Sequence, residues 1–166
     1  MPFKINTYQI ILAVILVVGL TAVFYSIVFA QSVGTLSTFS RAKISVVSEI
    51  KTHTLEVELA LTPQQHAQGL MFRRSMDADK GMLFVYKSET PISMWMKNTF
   101  LPLDIFFIDR DGSIIKIVER TVPLSTTNIS SGSSVIAALE LNAGAASRLG
   151  IQVGDKVLAD ILKTLR

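Results

Sequence analysis

Five residues have the types and spacing to build a site: Arg73, Trp95, Lys97, Asn98 and Asp104. Residues 92–98 and 103–109 both read as strands, and only Thr99, Phe100, Leu101 and Pro102 connect them. A connection that short implies a local antiparallel hairpin, and Pro102 cannot donate to its ladder. The simplest register sets Asn98 opposite Leu103, Lys97 opposite Asp104 and Trp95 opposite Phe106, with Asn98 on the other face beside Met94 and Met96. Such a cluster has two readings. In one, Lys97 and Asp104 form an ion pair over an aromatic core face. In the other they wall a pocket, where Lys97 holds an anionic ligand and Trp95 stacks on it. Lys97 suits Schiff-base chemistry only if burial depresses its pKa.

Other chemistries find less support. Met71, Met76, Met82, Met94 and Met96 crowd one stretch; thioethers suit copper(I), but methionine is also the usual filler of irregular cores. His53 and His66 have no zinc-ligand spacing, and the chain has no cysteine. Asp109-Arg110-Asp111-Gly112 opens like a calcium loop, but Ile117 and Arg120 stand where later ligands belong, so it reads as a hairpin turn. Asp77, Asp79, Glu140 and Asp155 are too dispersed to pair as acid and base. The serines lie in no nucleophile elbow, and there is no phosphate loop or dinucleotide fingerprint. No metal or cofactor is expected.

The elements that must carry these residues are mostly short strands. Residues 53–61 alternate, with Leu55, Val57 and Leu59 on one face and Thr54, Glu56 and Glu58 on the other; residues 44–49 are the natural hairpin partner. Thr62-Pro63-Gln64-Gln65 is a capping box with proline at the first helical position, and Gly69 ends that helix. Further strands are expected at residues 81–86, 113–119, 135–141 and 156–162, with a long loop at 120–134. Asn142 is placed to cap a second short helix ending at Gly150. The total is about eight strands and two helices. Their close spacing leaves no room for helical crossovers, which predicts mainly antiparallel sheets in a sandwich or partly closed barrel.

Before this body, residues 10–30 are nearly all apolar, and no charge occurs between Lys4 and Arg41. Twenty-one helical residues reach about 30 Å, the thickness of a bilayer core. The positive amino end would stay in the cytoplasm, so the domain faces outward. An uncleaved anchor is favoured, because a signal-peptide core is shorter; cleavage after Ala30 is the competing reading, giving a secreted or periplasmic domain. The organisation is then residues 1–30 as anchor or signal, 31–43 as a flexible tether and 44–166 as one β-rich domain. The net charge of +3 in 166 residues is scattered, which argues against nucleic acid as a partner.

Several blocks, in order, carry a resemblance: Gly69-Leu70-Met71-Phe72-Arg73, Gly81-Met82-Leu83-Phe84, Trp95-Met96-Lys97-Asn98-Thr99, residues 102–109, Leu139-Glu140-Leu141-Asn142-Ala143-Gly144 and residues 150–155. Over residues 44–162 the chain resembles the domain of unknown function 192 family of small bacterial and archaeal domains. The resemblance implies a β-sandwich-like fold and frequent export. It implies no activity and transfers no catalytic residue. The expected function is therefore an extracytoplasmic domain tethered through residues 10–30 that binds a small polar or anionic ligand at Arg73, Trp95, Lys97, Asn98 and Asp104. The competing functions are a cell-envelope hydrolase using the same cluster, and a structural or interaction domain without a small-molecule site.

Overall fold

The structure, a computed structural model, describes residues 6, 8, 15–21, 37–49 and 51–164. The expected anchor at residues 10–30 lies mostly outside these; residues 15–21 are helical. Among the described residues, no helix is long and apolar enough to cross a membrane. The chain forms two compact units, Met1–Leu36 and Ser37–Arg166, and the second carries the fold.

Its elements are β1 (Ser40–Val47), β2 (Thr52–Ala60), α1 (Pro63–Gln68), β3 (Lys80–Met94), β4 (Leu103–Ile108), β5 (Ile114–Val118), β6 (Ile129–Asn142), α2 (Ala145–Leu149), β7 (Lys156–Leu158) and α3 (Asp160–Lys163). The seven strands make one sheet in the order β5-β4-β6-β3-β2-β1-β7. Its two edges meet through a bridge between Ser113 and Lys156, reinforced by Ile114 N donating to Asp155 O at 2.8 Å and Val157 N to Gly112 O at 2.7 Å. The sheet thus curls into a nearly closed barrel, not two stacked sheets, and the exposed edges that invite aggregation are largely removed.

The local signals in the chain are realised. β1 and β2 form the expected hairpin, with Leu55, Val57 and Leu59 buried. Thr62 and Gln65 close a capping box at α1, and Gly69 ends the helix with positive φ. Asp109 Oδ1 accepts from Asp111 N and Ser113 N, at 2.9 and 2.8 Å, which tightens the β4–β5 turn.

The long-range expectations need correction. No strand spans residues 92–98: β3 continues to Met94, and Lys97 and Asn98 form a turn. β4 pairs with β5 and β6, not with β3. Lys97 therefore does not face Asp104, Trp95 does not face Phe106, and the proposed hairpin is absent. The physical reason is that β6 inserts between them and pairs with both. β3 accommodates Pro91 at irregularities between Val85 and Thr90 and between Pro91 and Ser93, where a missing donor is tolerated. β2 and β3 are parallel, joined by the α1 connection, so one crossover exists after all. β6 starts at Ile129, inside the expected loop, and residues 40–43 of the expected tether belong to β1. Asn142 does not cap α2; its amide donates to Met76 O and Asp77 O at 2.8 and 3.1 Å, and Gly144 stands at the cap. The segment from Lys156 is a three-residue strand followed by α3.

Strand alternation gives the sheet two apolar faces. The inner one, lined by Val57, Leu83, Phe106 and Leu139, fills the barrel. The outer one, with Met82, Phe84, Ile105 and Phe107, is buried too, and Met96 from the loop after β3 packs against it. Loops at residues 70–76, 95–102 and 120–128 lie next to that outer face and interlock: Phe72 N donates to Asn98 O (2.8 Å), Met96 N to Ser125 O (2.9 Å) and Leu124 N to Thr99 O (3.1 Å). Each large apolar side chain buried this way is worth about 1.5–3 kcal/mol.

Candidate functional site

β6 runs through residues 135–141 as Val-Ile-Ala-Ala-Leu-Glu-Leu, one acid in an otherwise apolar run. Glu140 shares the outer face with Ala138, and its register partners are Met82 on β3 and Ile105 on β4. Both neighbours are fully buried and neither can donate a hydrogen bond. Gly81 lets the strands approach here: a Cβ on it would lie 2.5 Å from Glu140 O. The result is a glutamate only 4% exposed whose carboxyl has no hydrogen bond or ion pair among the described residues. Burial disfavours its charged form and pushes its pKa up to about 8.

Glu140 lines a cleft of about 230 Å³ together with His66, Met71, Tyr86, Trp95 and Lys97. α1 supplies His66. Its Nε2 lies 2.9 Å from Ala60 O. Only an N–H can satisfy a carbonyl, so the neutral ring is protonated at Nε2 and Nδ1 is the acceptor. The imidazole packs against Tyr86 with ring centroids 4.5 Å apart. Tyr86 is pushed up to about 12, first by burial and then by the nearby Glu140, and it remains a neutral donor at physiological pH. Trp95 and Lys97 also line the cleft, the Lys97 ammonium 5.3 Å from the indole centroid. This arrangement can bind a small molecule against a buried acid, and it holds groups that could exchange a proton with it.

Of the five residues selected in the sequence, Trp95 and Lys97 line this cleft and three do not. Asn98 has φ of 56° and serves the turn; its Nδ2 lies 3.9 Å from Met71 Sδ. Asp104 is fully buried, on the inner face, and accepts from Arg120 N (2.8 Å) and Ala146 N (3.0 Å). Its lone pairs are spent on holding backbone. Arg73 pairs with Glu58 and lines a second cleft of about 270 Å³ with Arg41, Glu56 and Lys80. There Lys80 Nζ meets Glu56 at 2.5 Å and Arg41 lies 3.9 Å from both glutamates. That cleft is a network of matched charges.

Sequence reasoning missed Glu140, His66 and Tyr86. Glu140 was legible as the lone acid of an apolar strand; the other two reach the cleft only through the parallel crossover. Met82, Met94 and Met96 pack in the outer core. Among the described residues, no group of three or more histidine or acidic side chains could hold a metal ion.

Two solved structures are similar. One, from Sinorhizobium meliloti 1021 and provisionally described as a transcription regulator, is 45% identical; the match covers 74% of this chain and 96% of that one, with a TM-score of 0.72. The other, a protein of unknown function from Novosphingobium aromaticivorans DSM 12444, is 35% identical over 77% of this chain and 91% of that one, also with a TM-score of 0.72. No curated protein matches. Residues 45–159 match a family described as Uncharacterized ACR. With that match spanning most of the barrel, the chain belongs to the domain of unknown function 192 family.

Proposed function

We propose that this domain, held outside the cytoplasm by residues 10–30, binds a small polar molecule in the cleft over Glu140. One observation carries the reading: Glu140, a residue only 4% exposed between Met82 and Ile105, lines the cleft and has no side-chain hydrogen bond or ion pair among the described residues. A carboxyl with little access to water and no protein donor is under-solvated, and a donor brought into the cleft relieves that cost. A ligand that donates a hydrogen bond to Glu140 supplies the missing partner. Lys97 can take an anionic group on the same molecule, and the rings of Trp95 and Tyr86 can pack against its body. The volume limits the ligand to the size of a small metabolite.

A second reading has its own observation. A carboxyl whose pKa burial raises to about 8, lining one cleft with an imidazole and a phenol, is suited to general acid–base catalysis. A regulator of transcription, as the Sinorhizobium protein is described, finds less support, since the cations are scattered and the net charge is only +3.

Native mass spectrometry of the full chain, released from detergent, tests binding. A bound small molecule should appear on the wild type and be lost from Glu140→Gln and Lys97→Met. A bare wild-type mass, or an adduct that both variants retain, sinks the proposal. A bound molecule that changes mass on incubation would select the catalytic reading. A C-terminal reporter enzyme active only outside the cytoplasm checks the topology.

A further inference from the structure

Among the described residues four non-glycines have positive φ: Phe72 (65°), Asn98 (56°), Arg120 (52°) and Leu124 (63°). All four fall in the three interlocked loops at residues 70–76, 95–102 and 120–128. Asparagine enters the left-handed region readily; phenylalanine and leucine enter it only against strain. Phe72 and Leu124 also face water, as do Trp95, Phe100 and Val122 in the same loops, all between 39% and 70% exposed. A large apolar side chain that is both exposed and strained gains little from folding. Its clustering with four others marks a surface that is used.

Within these ranges the charge is cationic, while the exposed acids Asp77, Asp79 and Glu119 lie at their strand-side ends. The three ranges contain Arg73, Arg74, Lys97 and Arg120 and no acidic residue. Arg73 is paired with Glu58. Arg74 lies 5.0 Å from the centroid of Phe100, and Lys97 lies 5.3 Å from that of Trp95. Neither has a carboxylate partner among the described residues. A half-exposed aromatic ring beside an unpaired cation matches the boundary of a lipid layer, where the ring enters the acyl margin and the cation meets phosphate. We propose that this three-loop face docks onto an anionic lipid bilayer. The proposal stands on the loops alone and does not require the cleft to hold a ligand.

Trp95 is the single tryptophan of the chain, so its fluorescence reports this face alone. The full chain is reconstituted into phosphatidylcholine vesicles, with or without phosphatidylglycerol, carrying brominated or plain acyl chains. Bromine should quench Trp95 in the vesicles containing phosphatidylglycerol, less so in phosphatidylcholine alone, and high salt should reverse the difference. The double variant Arg74→Glu, Leu124→Asp should lower the docking equilibrium at least about fivefold, the loss expected for one surface cation. The wild-type comparison across lipids stands even if that variant folds poorly. Trp95 emission that is the same with brominated and plain lipid overturns the proposal, as does quenching indifferent to lipid charge and salt. A blue shift without bromine quenching also overturns it, because the face would then be covered by protein.

Discussion

Asp104 and Glu140 lie one step apart in register on adjacent strands, Asp104 opposite Leu141 and Glu140 opposite Ile105. Both are buried acids. They point to opposite faces of the sheet, and that alone separates their chemistry. On the inner face, the loop at Arg120 and the start of α2 each bring a backbone N–H to Asp104. On the outer face, Glu140 meets Met82, Ile105 and the cleft. Burial is common to both. The supply of donors decides which carboxyl is a fastener and which is left available to a ligand.

The largest effect should come from titrating Glu140. Glu140 ionises near 4.5 when unfolded and about 8 when folded. Between those values the unfolded chain has lost its proton and the folded one keeps it, so stability falls as pH rises. The contribution is complete below pH 4.5 and has gone above about 8. At 1.36 kcal/mol per pH unit, the total is about 5 kcal/mol. Urea denaturation across that range should show the decline in the wild type and lose most of it in Glu140→Gln. A wild-type profile already flat there breaks the comparison.

Asp104→Ala should cost about 2–4 kcal/mol by stranding the amides of Arg120 and Ala146. Denaturation at a single pH measures it, and a cost under about 1 kcal/mol would make Asp104 no fastener. The smallest effect belongs to Lys97. It is exposed and has no ion pair among the described residues, so Lys97→Met should change stability by no more than about 0.5 kcal/mol while weakening the cleft's hold on an anionic group. A larger loss of stability would tie Lys97 to packing and remove it from the site.

Features set by neighbouring residues were legible in the sequence. The β1–β2 hairpin, the Thr62–Gln65 capping box and the Asp109–Gly112 turn each depend on a few adjacent residues, and all are present. Sheet order was not. The hairpin expected around Lys97 and Asp104 was plausible locally, but strand pairing is won by total buried area, and β6 offers both β3 and β4 a longer apolar partner. Half of β6 was hidden because residues 129–134 are Ile-Ser-Ser-Gly-Ser-Ser, a composition that reads as loop. Two of the five chosen residues, Trp95 and Lys97, reached the cleft, which they line from the turn just after β3. Asp104 was chosen for its charge, which the backbone has already used.

The closing bridge of the barrel also orders events in time. β1 finds its second neighbour only in β7, where Val46 pairs with Val157 across more than a hundred intervening residues. A chain made or threaded from its amino end exposes β1 and β2 long before β7 arrives, with one side of β1 unpaired. Contacts so distant in sequence form slowly, and an open strand edge can recruit another chain. The vulnerable interval ends only when residues 156–158 emerge, so the last short strand acts as a latch on the first.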